Sequence, residues 1–379
     1  MIVEDLTLQQ FRVYHSANLK LNTNITIIVG GNAQGKSTLL EAAHLLLTGK
    51  SPRTRSFSEM IQTGATYAVV RAHTSPDFQQ SQRLEVALTP EGQHMKRNNQ
   101  LVASPMDRAE LPSTVMFMPE DVSIVSGEPR RRRAFLDEAM SRLSIAYHMN
   151  LMRYRKALKQ RNAALKAAAA ARGQSPPTIQ WDEQIVVHGA RLLNARQEFI
   201  VDLDKYAFKH HSLASSGSET LSVKYDSTVL KFGNPPKQDG TDFTAGETEE
   251  LFRQELVKSR ERDRRFCATH VGPHRDDITL DINEVNARDF GSAGQQRTAV
   301  LSLKLAVADL ICVREKRSPL LLLDDVLSQL DEPRRYRLME CVMNYEQTLL
   351  TATECELIPP EFRGSCSFIR VHGGEVSGP

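Results

Sequence analysis

The first thirty residues alternate apolar and polar positions in the two-residue rhythm of strands: "VEDLTLQQF", then "ANLKL", then "ITIIVG". Ile25 to Val29 is a short β-branched run that reads as a buried strand. Leu39, Leu40, Ala43, Leu46 and Leu47 then recur at helical spacing, so a helix follows. "TYAVVRAHT" (66–74), "RLEVALTP" (83–90) and "STVMFMP" (113–119) return to strand patterning, and the first 120 residues or so are expected to be mainly sheet around one helix. After Pro129 the pattern changes. Residues 150–172, "NLMRYRKALKQRNAALKAAAAAR", form a long run of strong helix formers, "GQSPP" at 173–177 breaks it, and residues 178–211 are helical again. Two helices of roughly 30 residues make an arm about 45 Å long at the helical rise per residue. Residues 212–250 read as loop with a strand or two around "LSVKYD". Further on, Val300, Leu301, Leu305, Val307 and Leu310 mark a core-facing helix, and four leucines at 320–323 a buried strand. No internal repeat is visible.

The 379 residues are too many for one small core, and two or so structural units are expected. With 25% charged and 40% hydrophobic residues the composition is that of an ordinary soluble chain, and no apolar run is long enough to span a bilayer. "MIVEDLTLQQF" has acids where a secretion signal needs a basic region and an apolar core. The five cysteines, at 267, 312, 341, 355 and 366, form no C-x-x-C pair, which points to reduced thiols in a cytosol and a cytoplasmic location. Net charge is only +2, but residues 129–172 hold twelve Lys or Arg against two acids, Asp137 and Glu138. That segment reads either as a solvated helix face or as an electrostatic footprint for a polyanion such as DNA. On the second reading Arg153, Arg155 and Lys159 are the candidate DNA-contacting residues. In the run Arg130–Arg133 successive side chains fan out around a helix, so at most one or two can serve phosphates.

The chemistry concentrates between the buried strand and the helix that follows it. Gly30-x-x-x-x-Gly35-Lys36-Ser37 is a full P-loop in the strand-to-helix setting that this motif requires. Its residues Gly30, Gly31, Asn32, Ala33, Gln34, Gly35, Lys36, Ser37 and Thr38 are expected to wrap a nucleoside triphosphate, ATP. Backbone N–H groups and the helix N-terminus would meet the phosphates. Lys36 would reach the β- and γ-phosphates, and the Ser37 hydroxyl would ligate Mg2+. The strand "LLLL" ends in Asp324, placed to hold Mg2+ through water or Ser37. Asp325 follows, where a general base could orient the attacking water. Upstream, the turn Ser292-Ala293-Gly294-Gln295-Gln296 opens a helix. Such an N-terminus binds anions, and serine there is also a favoured cap. His270, His274, Asp276 and Asp277 crowd together in "HVGPHRDD", but the central Gly-Pro turn keeps them off one helical face and a metal site is not favoured.

The order of the P-loop, the serine-led turn, the Asp-Asp strand and "SQLD" (328–331) resembles that of ABC-type ATPases. The opening "LQQFRVY" and the helical insertion between the halves resemble the SMC and RecF branch rather than transporters. "FMPEDVSIVSGEPRRRRAFLD" (117–137), "THVGPHRDD" (269–277), "GSAGQQRT" (291–298) and "LLLDDVLSQLD" (321–331) are similar to the RecF family of bacterial DNA replication and repair proteins. The resemblance implies an α/β fold: a P-loop ABC-type ATPase head with a second, largely helical lobe carrying a short arm. Divided by residue, 1–128 would be the N-terminal half of the head, 129–265 the helical insertion, and 266–379 the signature, Walker B and C-terminal part. It further implies an ATP-dependent homodimer in which Ser292, Gly294, Gln295 and Gln296 of one subunit cap the γ-phosphate held by the other. DNA (single-stranded, duplex or gapped) and RecR- and RecO-type repair proteins would be partners. Lys36 and Asp325 would carry catalysis. Many relatives have Glu at the Asp325 position, so the shorter carboxylate implies slow turnover. Glu120 is the candidate for the family's Q-loop glutamine, and Thr353 or Glu354 stands where transporter-type relatives place a histidine. Arg12, Arg53 and Arg55 fall on segments near the nucleotide in such heads. The rival readings are a nucleotide-binding subunit of a membrane transporter and a small-molecule P-loop kinase.

Overall fold

The computed structural model describes residues 2–21, 24–75, 81–104, 107, 110–170, 179–230 and 244–378. The break expected at 173–177 lies outside the described residues. By its contacts the chain divides into two compact units. One comprises Met1–Val122, Lys209–Glu219 and Ala293–Pro379, the other Ser123–Phe208 and Thr220–Ser292.

In the first unit, Asp5–Phe11 buries Leu6 and Leu8 by strict alternation. The burial rhythm then slips by one residue at Gln10, which has φ 53°, so that Phe11 is buried, while the pairing with the next strand keeps its register, Gln9 opposite Ser16 and Phe11 opposite Tyr14. This strand joins an antiparallel sheet with Tyr14–Lys20, Ala68–Ser75, Gln82–Thr89, Gly92–Arg97 and Gln100–Leu101. A second sheet runs in the order Glu375–Ser377, Cys366–His372, Ile25–Val29, Gln347–Ala352, Leu320–Leu323, Thr114–Phe117. All of its pairings but the outermost hairpin are parallel. Ile25–Val29 and Leu320–Leu323 are buried at every position, which is why they read as unbroken apolar runs rather than alternating ones. The helix Lys36–Thr48 lies between the two sheets. It buries residues almost all round, and its Leu39, Leu40, Leu45 and Leu46 share one core with Leu6, Leu8, Ile28, Leu322 and Leu349.

The second unit holds the antiparallel strands Leu221–Asp226, Asp277–Ile282 and Val285–Asn286, with the helices Pro129–Leu143, Ile145–Ala170, Ile179–Ala214 (as far as Phe208) and Ala245–Phe266. The two long helices are thus present. Ile145–Ala170 is not an all-polar rod, since Tyr147, Leu151, Tyr154, Ala157, Arg161 and Leu165 form a buried stripe. The loop expected over 212–250 needs correction: the second long helix continues to Ala214, and a new helix begins at Ala245. The new helix starts on a capping box in which the Thr244 side chain accepts from Glu247 N and Glu247 reaches back to Thr244 N. Among the described residues, two arginines are fully buried in this unit. Arg161 donates to Asp182 and Asp263, each at 2.6 Å, and to Thr269 at 2.8 Å. Arg196 donates to Asp137 at 2.6 Å, the Tyr147 hydroxyl at 2.9 Å and the Pro273 carbonyl at 2.7 Å. Among the described residues no helix is long and apolar enough to cross a membrane.

Candidate functional site

The carboxyl ends of three parallel strands meet at one place. Ile25–Val29 runs into Gly30, Leu320–Leu323 into Asp324, and Gln347–Ala352 lies between them, Leu350 pairing with both Leu323 and Ile27. In open α/β sheets ligands bind at such ends. The loop from Gly30 is shaped by close approach. A Cβ at Gly30 would collide with the Val371 carbonyl. Gly35 has φ +109°, where a Cβ would meet the Tyr14 hydroxyl at 2.7 Å. Tyr14 Oη donates to the Gly35 carbonyl at 3.1 Å, and Gln34 Oε1 accepts from Gly373 N at 2.5 Å. The helix that follows starts on Gly35 with no side-chain cap, so no capping side chain takes up its first N–H groups.

Lys36 folds back into this loop, its Nζ donating to the Gly30 carbonyl at 2.7 Å and the Gly31 carbonyl at 2.8 Å. Burial pushes its pKa below the usual lysine value, against the pull of Asp325 and Asp324. The next side chain, Ser37, donates its hydroxyl to Asp324 Oδ1 at 2.8 Å. Asp324 is nearly buried, and burial raises its pKa while the Ser37 and Thr351 hydroxyls hold it back. Thr351 Oγ1 donates to Asp324 Oδ1 at 2.8 Å and accepts the backbone N–H of Asp325 at 2.8 Å. Asp325 itself sits at φ +49°, and its Oδ1 is buried without a hydrogen-bond partner. A buried carboxylate oxygen left unpaired costs about 1–3 kcal/mol or more, so this atom is built to meet something beyond the protein. Lys36, Ser37, Asp324 and Asp325 are therefore brought together. Thr351, which ties the two aspartates, was not legible: a threonine in a β-rich run carries no signal of its own.

Of the other sequence candidates, Arg53 lies close enough to Asp324 for its charge to hold that carboxyl's pKa down. Ser292 is exposed immediately before the helix Ala293–Glu315, and the Gln295 amide donates to Glu219 Oε1 at 3.0 Å. Glu120 is exposed in the short turn Pro119–Val122. Its neighbour Asp121 accepts from Met118 N at 2.8 Å and pairs with Lys304 of that same helix at 3.1 Å. Arg12 is committed to Glu41 through two bonds of 2.9 and 2.6 Å, and Arg53 lies 3.8 Å from the same carboxylate. Thr353 and Glu354 follow the strand Gln347–Ala352, Glu354 exposed.

Arg153, Arg155 and Lys159 are all exposed on the helix Ile145–Ala170, but Arg155 is bonded to Asp137 at 2.9 Å. Of the Arg130–Arg133 run, Arg132 is buried in a two-point pair with Asp277 at 2.7 and 2.8 Å, and Arg133 donates to the Asp276 carbonyl. The "HVGPHRDD" residues are likewise spent singly. His270 contacts Asp263, His274 sits between Tyr154 and the Thr269 carbonyl, and Asp276 accepts from Tyr225 and Thr228. Among the described residues no group of three or more His, Cys, Asp or Glu could hold a metal ion.

A P-loop between two sheets, facing an Asp-Asp pair at the end of a leucine strand, defines an ABC-type ATPase head. The family model described as the RecF/RecN/SMC N terminal domain matches residues 2–358. The chain belongs to the RecF family of DNA replication and repair proteins. It is 34% identical to the DNA replication and repair protein RecF of Clostridium tetani (strain Massachusetts / E88) over 378 residues, 99% of each chain. It is 35% identical to that of an Exiguobacterium species (strain ATCC BAA-1283 / AT1b), again over 99% of each. Among solved structures it is similar to the recombination mediator protein RecF-ATP of the RecFOR pathway (TM-score 0.86, 29% identity, 100% of this chain and 97% of that one). The RecF-ATPrS structure is as near, with TM-score 0.85, 30% identity and coverage of 100% and 98%. An Smc head bound to the winged-helix domain of ScpA shares the fold alone, at TM-score 0.58 and 13% identity over 100% and 96%. Nothing among these relatives favours a transporter subunit.

Proposed function

We propose that this chain is an ATP-dependent DNA-binding protein of replication and recombinational repair. In this reading two copies close on ATP, and slow hydrolysis releases them. The observation that carries it is the hydrogen-bonded set Ser37, Asp324, Thr351 and Asp325 beside Lys36. Lys36 would exchange the Gly30 and Gly31 carbonyls for the β- and γ-phosphate oxygens, which satisfy an ammonium better than neutral carbonyls do. Ser37 and Asp324 fit Mg2+, since two oxygens already in contact at a strand end match an ion that takes one or two protein ligands and fills the rest with phosphate and water. That ion would supply neutralisation of charge on the phosphates.

Asp325, with one oxygen unpaired, would accept a hydrogen bond from the attacking water and take its proton as the water oxygen bonds to the γ-phosphorus and ADP leaves. The shorter aspartate at this position supports a slow reaction. The signature turn Ser292–Gln296 of a second copy would complete the site. The exposed Arg153, Arg155 and Lys159 would meet DNA phosphates, single-stranded, duplex or gapped, and RecR- and RecO-type proteins would act with the chain to load recombinase at gaps.

The test is a shift of labelled duplex DNA with and without ATP at two salt concentrations, paired with sedimentation of the protein in ATP. ATP-driven dimers and a strongly salt-dependent shift are expected. A protein that stays monomeric in ATP, or whose DNA binding ignores salt, would overturn the reading.

A further inference from the structure

The signature turn is tied to a side chain that none of its motifs includes. Gln295 Nε2 donates to Glu219 Oε1 at 3.0 Å. Glu219 ends the segment Lys209–Glu219, which packs with the ATPase unit and includes the last residues of the helix Ile179–Ala214. Its backbone is fixed on both sides by Ser215, whose hydroxyl accepts from Glu219 N at 3.2 Å and donates to the Glu219 carbonyl at 3.3 Å.

The second carboxylate oxygen, Oε2, is buried without a hydrogen bond. It lies 3.2 Å from His211 Nε2 and 3.9 Å from the Arg334 guanidinium. His211 is fully buried, and burial holds its pKa below the usual histidine value, so Arg334 is the cation that balances Glu219 near neutrality. Arg334 belongs to the helix Glu332–Val342, which starts on Asp331, the last residue of "SQLD". A half-buried carboxylate thus joins the opening of the signature helix to the helix that follows the Walker B strand.

We propose that Glu219 is a positioning residue for the turn Ser292–Gln296. By holding the Gln295 amide it fixes the first turn of the signature helix, and with it the aim of Ser292 and Gly294 at the ATP of a partner subunit. Gln295 is then an anchor rather than a phosphate contact. The inference rests on the reading in which that turn completes the ATP site of a second copy.

The test uses the full-length protein with Glu219→Ala, Glu219→Gln, Gln295→Ala and the double Glu219→Ala/Gln295→Ala variant. Nucleotide affinity of the monomer is measured with a fluorescent ATP analogue, and dimerisation in ATP by sedimentation equilibrium. Glu219→Ala is expected to leave monomer affinity within about twofold while weakening the ATP dimer by tenfold or more, roughly the weight of one hydrogen bond to a charged group. Glu219→Gln keeps an oxygen for the Gln295 amide and should recover most of the loss. The double variant should be no worse than either single one, because both remove the same hydrogen bond. A Glu219→Ala protein that dimerises like the parent, or losses that simply add in the double variant, would overturn the inference and leave the functional reading standing. A parent that does not dimerise in ATP would sink both. If Glu219→Ala fails to fold, Gln295→Ala and Glu219→Gln decide the matter by the same criteria.

Discussion

The Ser37 hydroxyl donates to Asp324 Oδ1 at 2.8 Å across 287 residues of chain. That bond joins the start of the P-loop helix to the end of the leucine strand, and it sets the P-loop and the Asp-Asp pair in register. Its acceptor oxygen is shared with Thr351, whose own oxygen receives the Asp325 N–H. Asp325, at its left-handed backbone angle, is held by Thr351 at its N–H and by the Ser328 and Gln329 side chains, which donate to its carbonyl.

Removing the Thr351 hydroxyl should cost both chemistry and stability. Thr351→Val leaves the Asp325 N–H without its partner and Asp324 short of a donor, which is expected to destabilise the protein by about 1–3 kcal/mol. ATP turnover should fall with little change in ATP affinity, and Thr351→Ser should restore it. Urea melts and steady-state hydrolysis check this. A valine variant that turns over like the parent would show that Thr351 is bystander packing.

Lys36→Ala should weaken ATP on the order of tenfold to hundredfold, the weight of a charge-assisted hydrogen bond, while the circular dichroism of the fold survives. Asp325→Asn should do the opposite: bind ATP, lose the base, and hold the dimer closed, with hydrolysis down by roughly a hundredfold or more. Nucleotide titration and sedimentation in ATP separate the two. If both variants behave alike, the division of roles between them is wrong.

On the basic helix the three candidates are not equivalent. Arg153→Glu with Lys159→Glu should weaken DNA binding and flatten its dependence on salt, by about 0.9 in log–log slope for each phosphate that is no longer neutralised. Arg155→Glu would set a second carboxylate beside Asp137, which also serves Arg196 and Tyr147, and should lower the melting temperature as well. An unchanged salt slope in the first variant would return this surface to an ordinary solvated face.

Arg161→Ala takes the guanidinium away from the buried Asp263 and from Asp182. Breaking a buried pair from one side typically costs about 3–5 kcal/mol. Chemical denaturation should show a destabilisation of that size, and one of less than about 1 kcal/mol would mean that water takes the place of the guanidinium.

Acid should act through two buried histidines. Burial holds His44 and His274 at about 4. His274 accepts the Tyr154 hydroxyl at Nδ1 and donates from Nε2 to the Thr269 carbonyl, the neutral tautomer that this pair of hydrogen bonds requires. Because both folded-state values lie below the unfolded one, the unfolded chain binds the extra protons first. Their contribution is complete above about pH 6.5 and is lost as pH falls toward 4, up to about 3 kcal/mol for each. Melting temperature followed from pH 7 to 4.5 should fall, and His274→Gln should flatten the curve. A flat parent profile would mean that these rings are hydrated.

Local patterning was enough to specify the P-loop with its strand and helix, the buried Leu320–Leu323 strand ending in two aspartates, and the two long helices. Each of these rests on interactions or periodicity within a few residues, where burial writes itself directly into the spacing of side chains. The start of the helix at Ala245 was missed: its capping box, Thr244 with Glu247, is a local signal, but its charged surface hid it among loop residues. Which distant side chains meet was settled by tertiary packing: Thr351 with Asp324, Arg132 with Asp277, Arg12 with Glu41, Glu219 with Gln295. Those pairings follow from sheet order and strand register, which bring the ends of distant segments together. A lone Thr, Arg or Glu has the same local pattern whether it faces water or a buried partner, so its burial and its bond come into being only when the sheets and helices close around it.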